Sequence, residues 1–182
     1  MEIYFATSNI HKFNEANEII PGIKRFSFKH NEIRSDNLEE IAVEAVKTAY
    51  AKLKKPVFVD DTGLSIDALN GFPGAYSAWV MEKIGPKGIL KLLKGIESRG
   101  AHFETYIAFH DGNEVKTFAG KCNGNVGFEE KGKDGFGYDS LFIPKGENQT
   151  FAESKDLKNK LSHRYLSLLK LSKYIKENFN KK

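Results

Sequence analysis

The sequence has little that would tie it to a membrane, an oxidising compartment or a zinc site. No nonpolar run approaches the ~18–20 residues that a membrane-spanning helix needs. Cys122 is the only cysteine, which excludes an intrachain disulfide, and no Cys or His cluster lies beside it to bind zinc. The first residues, MEIYFATSN, carry neither a basic leader nor a small-residue cleavage site. We therefore expect a cytoplasmic protein that does not bind membranes.

Size and charge are those of an ordinary globular chain. Its 182 residues fall within the ~100–200 residues of one typical domain, with 40% hydrophobic and 29% charged residues. We expect a single domain over residues 1–182, with two lobes. The 28 Lys and Arg residues against 24 Asp and Glu residues give a net charge of +4, which is compatible with a polyanionic ligand. Much of the excess positive charge lies in the C-terminal tail, where the lysines alternate with nonpolar residues, as in an amphipathic helix.

Periodicity and turn signals predict strands alternating with helices early in the chain and a hairpin later. Strands are predicted at residues 3–6, 25–29, 57–59, 102–110, 114–121 and 141–143. Helices are predicted at residues 11–20, 38–54, 77–84, 87–93 and 159–179. This order predicts an α/β fold with a mixed β-sheet flanked by helices.

The segment Thr7-Ser8-Asn9-Ile10-His11-Lys12 joins the first predicted strand to the first predicted helix. A helix N-terminus offers backbone N–H groups and partial positive charge to an anion. Thr7, Ser8 and Asn9 add hydroxyl and amide groups, and the Lys12 ammonium lies one turn into the helix. The segment is a candidate phosphate site, although an ordinary N-cap followed by a surface lysine has the same pattern.

The pair Asp60-Asp61 follows the predicted buried strand at 57–59. Adjacent side chains on a strand point to opposite faces, so at least one carboxylate is expected to face a cleft. Carboxylate oxygens suit Mg²⁺, which commonly takes one or two protein carboxylates together with phosphate oxygens and waters. Glu32 is a candidate second ligand. The alternative is a capped turn, because Asp-Thr-Gly is also good turn chemistry.

Two further segments combine aromatic and charged residues. Phe136-Gly137-Tyr138-Asp139 offers two aromatic rings for stacking on a purine, or for packing in the core. The second segment contains Lys158, His163 and Arg164, three cationic or titratable side chains within seven residues, together with Ser162. Such a group is often only a feature of the solvent-exposed surface. No Gly-x-Ser-x-Gly motif is present, which argues against a serine hydrolase.

Taken together and in this order, the motifs resemble the inosine triphosphate pyrophosphatase family, in a form close to its archaeal members, from Met1 to about Phe179. The segments that carry the resemblance are Thr7-Ser8-Asn9-x-x-Lys12, Asp60-Asp61-Thr62-Gly63-Leu64, Gly71-Phe72-Pro73-Gly74, Phe136-Gly137-Tyr138-Asp139 and Lys158-Asn159-Lys160-Leu161-Ser162-His163-Arg164. Each motif is weak alone, and their order makes the set specific.

The resemblance implies a two-lobed α/β fold with an elongated mixed sheet, a central nucleotide-binding cleft and a homodimer. It implies Mg²⁺-dependent hydrolysis of nonstandard purine triphosphates such as ITP, dITP and XTP to the monophosphate and pyrophosphate. At matching positions, the triphosphate would be held by Thr7, Ser8, Asn9 and Lys12. The metal ion would be bound by Glu32 and Asp61 with support from Asp60. The base and ribose would be held by Phe136, Tyr138 and Asp139, and the remaining base and phosphate contacts would come from Lys158, Ser162, His163 and Arg164.

Within this scheme Asp61 is the candidate group that activates the attacking water, and Lys12 neutralises charge on the phosphate oxygens. Two other functions remain open from the sequence. One is a related triphosphatase that prefers a different base. The other is a nucleic-acid-binding module, which the basic pI of about 9.0 would suit, although the basic residues form no continuous stripe outside the tail. We expect a small-molecule substrate and no nucleic-acid partner.

Overall fold

The computed structural model describes residues 2–29 and 33–179. The chain forms two compact units. Unit 1 comprises Met1–Asp61, Thr105–Gly120 and Arg164–Lys182. Unit 2 comprises Thr62–Glu104 and Lys121–His163.

The described residues contain both strands and helices throughout. The strands are β1 Tyr4–Ala6, β2 Lys24–Phe26, β3 Val57–Ile66, β4 Pro73–Gly74, β5 Gly100–His110, β6 Val115–Val126 and β7 Phe142–Pro144. The helices are α1 Ile10–Ile19, α2 Leu38–Leu53, α3 Ser77–Lys83, α4 Gly85–Leu92, α5 Lys155–Leu161 and α6 His163–Phe179, and a short 3₁₀ turn covers Asp67–Leu69.

The strands form one seven-stranded sheet in the order β2-β1-β3-β5-β6-β7, with β4 paired to β3. β1 runs parallel to both β2 and β3, with Tyr4 opposite Lys24 and Val57. β4 is antiparallel to β3, and β7 is antiparallel to β6. The predicted α/β fold with a mixed sheet is therefore confirmed.

In unit 1 the strands bury alternate side chains in two hydrophobic clusters. One cluster joins β1 and β3 to α1 and α6 through Ile3, Phe5, Ala16, Ile20, Phe58, Leu168, Leu171 and Ile175. The other joins β1 and β3 to α2 through Ala6, Ala42, Ala45, Val46, Ala49, Val57 and Val59. Since successive strand residues point to opposite faces, α1 and α6 cover one face of this part of the sheet and α2 covers the other.

Unit 2 has a separate core. It is built from β3, β5, β6, α3, α4 and the segment around β7, with Leu64, Ile66, Val80, Ile89, Leu93, Phe103, Leu141, Phe142 and Phe151 among its buried members. The two predicted short helices at 77–84 and 87–93 are confirmed as α3 and α4. No helix in residues 2–29 and 33–179 is long and nonpolar enough to span a membrane.

Two differences between the predicted elements and the structure affect the residues of the candidate site. The buried strand predicted at 57–59 continues for ten residues to Ile66, so the Asp60-Asp61 pair lies within a strand rather than at its end or in a turn. The continuation is stabilised by burial of Leu64 and Ile66 and by pairing of Leu64 with Gly74. The single helix predicted at 159–179 is two helices, because Ser162 has extended backbone angles of φ −67° and ψ 148°.

The amphipathic character predicted for the C-terminal helix is confirmed in α6. Leu168, Leu171 and Ile175 are buried, whereas Lys170, Lys173 and Lys176 are exposed. The lysines of this helix therefore form a solvated face, as their alternation with nonpolar residues predicted.

Candidate functional site

A chain of alternating charges lies on the α1 and α6 face of β3 in unit 1. Lys12 Nζ donates to Asp60 Oδ1 at 2.9 Å, and Arg164 Nε donates to Asp60 Oδ2 at 2.6 Å. Arg164 Nη1 in turn donates to Glu15 Oε2 at 2.8 Å. Alternation along β3 explains the direction of the Asp60 side chain, because Phe58, two residues earlier, packs against the same two helices.

Burial makes this chain of charges unusual. The Arg164 side chain is 3% exposed, although arginine is rarely buried unless it is paired. Burial alone would raise the pKa of Asp60, but the charges of Lys12 and Arg164 and their hydrogen bonds lower it to about 2. The Asp60 carboxylate is therefore ionised at neutral pH. Desolvation alone would lower the pKa of Arg164, but the charges of Asp60 and Glu15 and their hydrogen bonds raise it, so the guanidinium stays charged.

The predicted phosphate segment forms an N-cap for α1. Asn9 Oδ1 accepts from the backbone N–H groups of His11 at 2.9 Å and Lys12 at 3.3 Å. The Thr7 hydroxyl accepts from the Asn9 N–H at 3.1 Å, and Ser8 is exposed. The Asn9 cap therefore occupies two of the backbone N–H groups that could otherwise bind an anion. The positive charge that remains for an anion comes from the helix dipole and from the Lys12 ammonium.

Asp61 lies next to Asp60 but belongs to the other face of the strand. Alternation groups Asp61 with Val57 and Val59, which pack against α2. The predicted second ligand, Glu32, lies outside the described residues. In residues 2–29 and 33–179, no group of three or more His, Cys, Asp or Glu side chains is placed to hold a metal ion. A magnesium site thus stays a prediction.

Unit 2 holds a second buried ion pair, between Asp139 and Lys158. Asp139 Oδ2 accepts from Lys158 Nζ at 2.7 Å and from the Phe136 N–H, also at 2.7 Å. The Lys158 ammonium lies 4.2 Å from the centroid of the Phe136 ring, a cation–π contact. Asp139 is 4% exposed and Lys158 is 5% exposed. The Asp139 carboxylate therefore fixes both the backbone at Phe136 and the Lys158 ammonium that contacts the Phe136 ring.

Gly135 is required for this arrangement. Its φ of +79° lies in the left-handed region that favours glycine, and a Cβ there would lie 2.3 Å from Asp139 Oδ2. A larger residue at position 135 would displace the carboxylate that holds Lys158.

Three other predicted residues of unit 2 are buried. The Tyr138 hydroxyl donates to the Ser77 carbonyl at 3.1 Å, and the residue is 4% exposed within the core. The His163 ring stacks on Phe103 at 4.5 Å, and the neighbouring Ser162 is also buried. Tyr138 thus takes the packing role that the sequence left open, and the His163-Arg164 pair is not a surface feature. Substrate contacts of Tyr138, Ser162 and His163 stay predictions.

The model of the Ham1 family matches residues 3–174. The chain belongs to the Ham1 family. Relatives named dITP/XTP pyrophosphatase include that of Methanopyrus kandleri, 44% identical with 98% of each chain covered. That of Thermococcus kodakarensis is 43% identical, with 98% of this chain and 99% of the relative covered.

Solved Ham1 structures have the same fold. The Ham1 protein of Staphylococcus aureus is 30% identical, with a TM-score of 0.84 over 97% of this chain and 99% of its own. A HAM1 protein from Coxiella burnetii is 28% identical, with a TM-score of 0.85 over 97% of this chain and 99% of its own. Membership of the Ham1 family, with archaeal relatives among the matches, confirms the resemblance that the five motifs carried.

One member of the charge chain was not found from the sequence of this Ham1 protein. Glu15 lies on α1 three residues after Lys12, a spacing that puts both side chains on one helix face. That spacing was a usable signal. Its partner Arg164 lies 149 residues further along the chain, so the pairing itself required the tertiary structure.

Proposed function

We propose that this chain is a nucleoside triphosphate pyrophosphatase that hydrolyses the nonstandard purine nucleotides dITP, ITP and XTP to the monophosphate and pyrophosphate. The observation that carries the proposal is similarity over nearly the whole chain to archaeal proteins named dITP/XTP pyrophosphatase. Removal of such nucleotides from the pool of polymerase substrates would be the consequence of this activity.

In the proposed reaction, water attacks the α-phosphorus and the bond to the bridging α–β oxygen breaks. The water oxygen becomes part of the monophosphate, pyrophosphate leaves, and the water gives up its proton to a base. Asp61 is our candidate for that base, since a carboxylate on a regular strand is held in a defined direction. Lys12 is our candidate for the cation that offsets the charge on the phosphate oxygens.

We propose Mg²⁺ as the cofactor. A carboxylate is the kind of ligand that Mg²⁺ takes together with phosphate oxygens and waters, and Asp61 supplies one. Asp60 fits this role poorly, because each of its two oxygens already accepts from a buried or half-buried cation. When bound, the metal ion would neutralise phosphate charge and lower the pKa of a coordinated water. Asp61 would hold it, with Glu32 as the second predicted ligand.

Discrimination among purines must come from contacts to the base edge. Hypoxanthine and xanthine present an acceptor at position 6, whereas adenine presents an amino donor there. Arg164 has only donors and would oppose adenine donor to donor at this position, and the donors available for that contact are those not already bound to Asp60 and Glu15. Each unpaired buried polar group costs about 1–3 kcal/mol, so two mismatches correspond to roughly 30- to 10⁴-fold discrimination. Phe136, with a cation already bound to its ring, is the candidate aromatic contact to the base.

The proposal is tested by pyrophosphate release across a panel of dITP, ITP, XTP, GTP, ATP and dUTP, with Mg²⁺ and with EDTA. We expect kcat/KM for dITP, ITP and XTP to exceed the value for ATP by roughly 10² or more, and turnover to require the metal ion. We also expect them to exceed the value for GTP, whose rejection needs a separate donor or steric limit near the 2-amino group of guanine. Preference for dUTP or another pyrimidine would instead indicate the related triphosphatase. Salt-dependent retention of DNA or RNA without any turnover would indicate the nucleic-acid-binding module.

We further propose that the protein works as a homodimer in the cytoplasm. Exposed nonpolar side chains within one short segment of unit 2, Phe72, Tyr76 and Trp79, support an interface with a second copy. Light scattering after size-exclusion chromatography measures the mass directly. A mass of one chain, 20.5 kDa, at micromolar concentration would exclude the dimer.

A further inference from the structure

The charge chain of unit 1 links three elements in the order Glu15, Arg164, Asp60, Lys12. Lys12 and Glu15 belong to α1, Asp60 to β3 and Arg164 to the first turn of α6. Each contact uses a different atom of Asp60 or Arg164, so no donor or acceptor is shared between these three ion pairs. Asp60 therefore fixes the Lys12 ammonium and the Arg164 guanidinium relative to each other.

Exposure differs along this chain. The side chains of Asp60 and Arg164 at its centre are buried, whereas those of Lys12 and Glu15 at its ends retain 20% exposure each. Lys12 can therefore meet a ligand while Asp60 holds it from behind. The four charges sum to zero, so the chain contributes orientation more than net attraction for an anion.

We propose that Asp60 and Glu15 are positioning residues of the pyrophosphatase reaction, which, together with the buried Arg164 between them, hold the Lys12 ammonium in the orientation in which it meets the nucleotide, and that Asp60 does not bind the metal ion. The inference rests on the proposed function and adds to it a role for two carboxylates. A divalent cation at Asp60 would lie within a few ångströms of two existing cations in a buried environment. Repulsion there is strong, which disfavours a metal ion at Asp60 and leaves Asp61 as the candidate ligand.

Loss of the Asp60 charge has a distinctive consequence. Asparagine keeps the shape of the side chain, but it leaves Lys12 and Arg164 facing one amide with no negative charge between them. The ammonium of Lys12, at the more exposed end, moves away from the guanidinium. The local charge also becomes more positive, so a triphosphate is still attracted. We therefore expect a lower kcat with little change in KM.

The experiment compares Asp60→Asn and Glu15→Gln with the matched control Glu44→Gln, which removes an exposed carboxylate paired with Lys47 on α2. Turnover of dITP is measured over a range of Mg²⁺ concentrations, and circular dichroism checks folding. Calorimetry in EDTA measures binding of a dITP analogue whose α–β bridge is a nonhydrolysable imido group. This last measurement does not depend on the metal ion or on turnover.

For Asp60→Asn we expect kcat to fall by about 10- to 100-fold, because displacement of a catalytic group by around 1 Å has an effect of this size. KM, the affinity for the analogue in EDTA and the half-saturating Mg²⁺ concentration should each stay within about threefold of the wild-type values. Glu15→Gln should lower kcat by about 3- to 10-fold, since it releases only the far end of Arg164. Glu44→Gln should behave as the wild type.

Several outcomes would overturn the inference. A tenfold or greater rise in the half-saturating Mg²⁺ concentration for Asp60→Asn would make Asp60 a metal ligand. A wild-type kcat with a lower melting temperature would make its role purely structural. If Asp60→Asn does not fold, Glu15→Gln decides the question, and a wild-type kcat for that variant refutes positioning.

Absence of pyrophosphate release from the wild type would refute the proposed function. Weaker analogue binding by Asp60→Asn in EDTA would refute the inference separately, because that measurement does not depend on turnover.

Discussion

Two ion pairs are almost fully buried. One joins Asp60 and Arg164 in unit 1, and the other joins Asp139 and Lys158 in unit 2. Desolvation of such pairs offsets much of their mutual attraction, so they contribute little net stability compared with well-packed nonpolar residues. Their occurrence at motif positions is better explained by a need for charges held in fixed directions. At the residue scale, these two buried ion pairs are therefore the structural feature that most strongly indicates a functional site.

Replacement of Asp61 by asparagine tests the proposed base and metal ligand. We expect Asp61→Asn to lower kcat by at least about 10²-fold, because an amide is a poor Mg²⁺ ligand and cannot accept the proton. The fold should persist, since the substitution keeps the size of the side chain on β3. Steady-state pyrophosphate release from dITP measures the effect, with the exposed Glu97→Gln as control. Near-normal turnover by folded Asp61→Asn protein would exclude the assignment.

Replacement of Lys12 by alanine tests the phosphate contact. We expect weaker binding of the triphosphate and a slower chemical step, because the ammonium faces charge that shifts as pyrophosphate departs. Binding of free inosine should hardly change. Calorimetry with inosine and with an imido triphosphate analogue separates the two effects, and Lys91→Ala removes an exposed lysine of α4 as control. Equal losses for both ligands would show that Lys12 has only a structural role.

At the scale of elements, α1 and α2 both begin with an asparagine N-cap. Asn37 Oδ1 accepts from Glu39 N–H and Glu40 N–H, just as Asn9 Oδ1 accepts from the corresponding N–H groups of α1. Asparagine before a periodic nonpolar pattern is a signal that can be identified in the sequence, and the first helix was predicted from it. The two caps differ in that only the one on α1 adjoins Lys12.

This similarity provides a matched pair of substitutions. We expect Asn9→Ala and Asn37→Ala each to lower the free energy of unfolding by about 1 kcal/mol, the usual cost of a lost N-cap. Only Asn9→Ala should also weaken binding of the triphosphate analogue, because it alters the helix end beside Lys12. Urea unfolding and calorimetry measure the two effects. Equal analogue affinity for both variants would remove Asn9 from the binding site.

At the scale of the whole molecule, Cys122 reports on global unfolding. Burial raises the pKa of its thiol to about 11, and the thiolate is the reactive form. At pH 8 we therefore expect labelling by a disulfide reagent to be at least about 10²-fold slower in the native protein than in concentrated urea. Since Cys122 is the only cysteine, one rate constant describes the reaction. Fast labelling of the native protein would show that unit 2 opens locally around β6.

The sequence by itself determined which segments form helices and strands, because periodicity, caps and turns are local properties. It also identified the Ham1 family, since five short motifs in a fixed order are specific even though each is weak. It did not determine that β3 continues past Asp60-Asp61 or that Ser162 separates two helices. Both depend on packing against residues far away in the chain.

Only the tertiary structure decided which charged residues are partners. Arg164 and Asp60 lie 104 residues apart, and no local pattern relates them to Glu15. Tyr138 was equally consistent with stacking on a purine and with packing in the core, and burial selected the core. Spacing along the chain sets the direction of a side chain relative to its own helix or strand. Its partners are set by which elements pack together, and that depends on the whole fold.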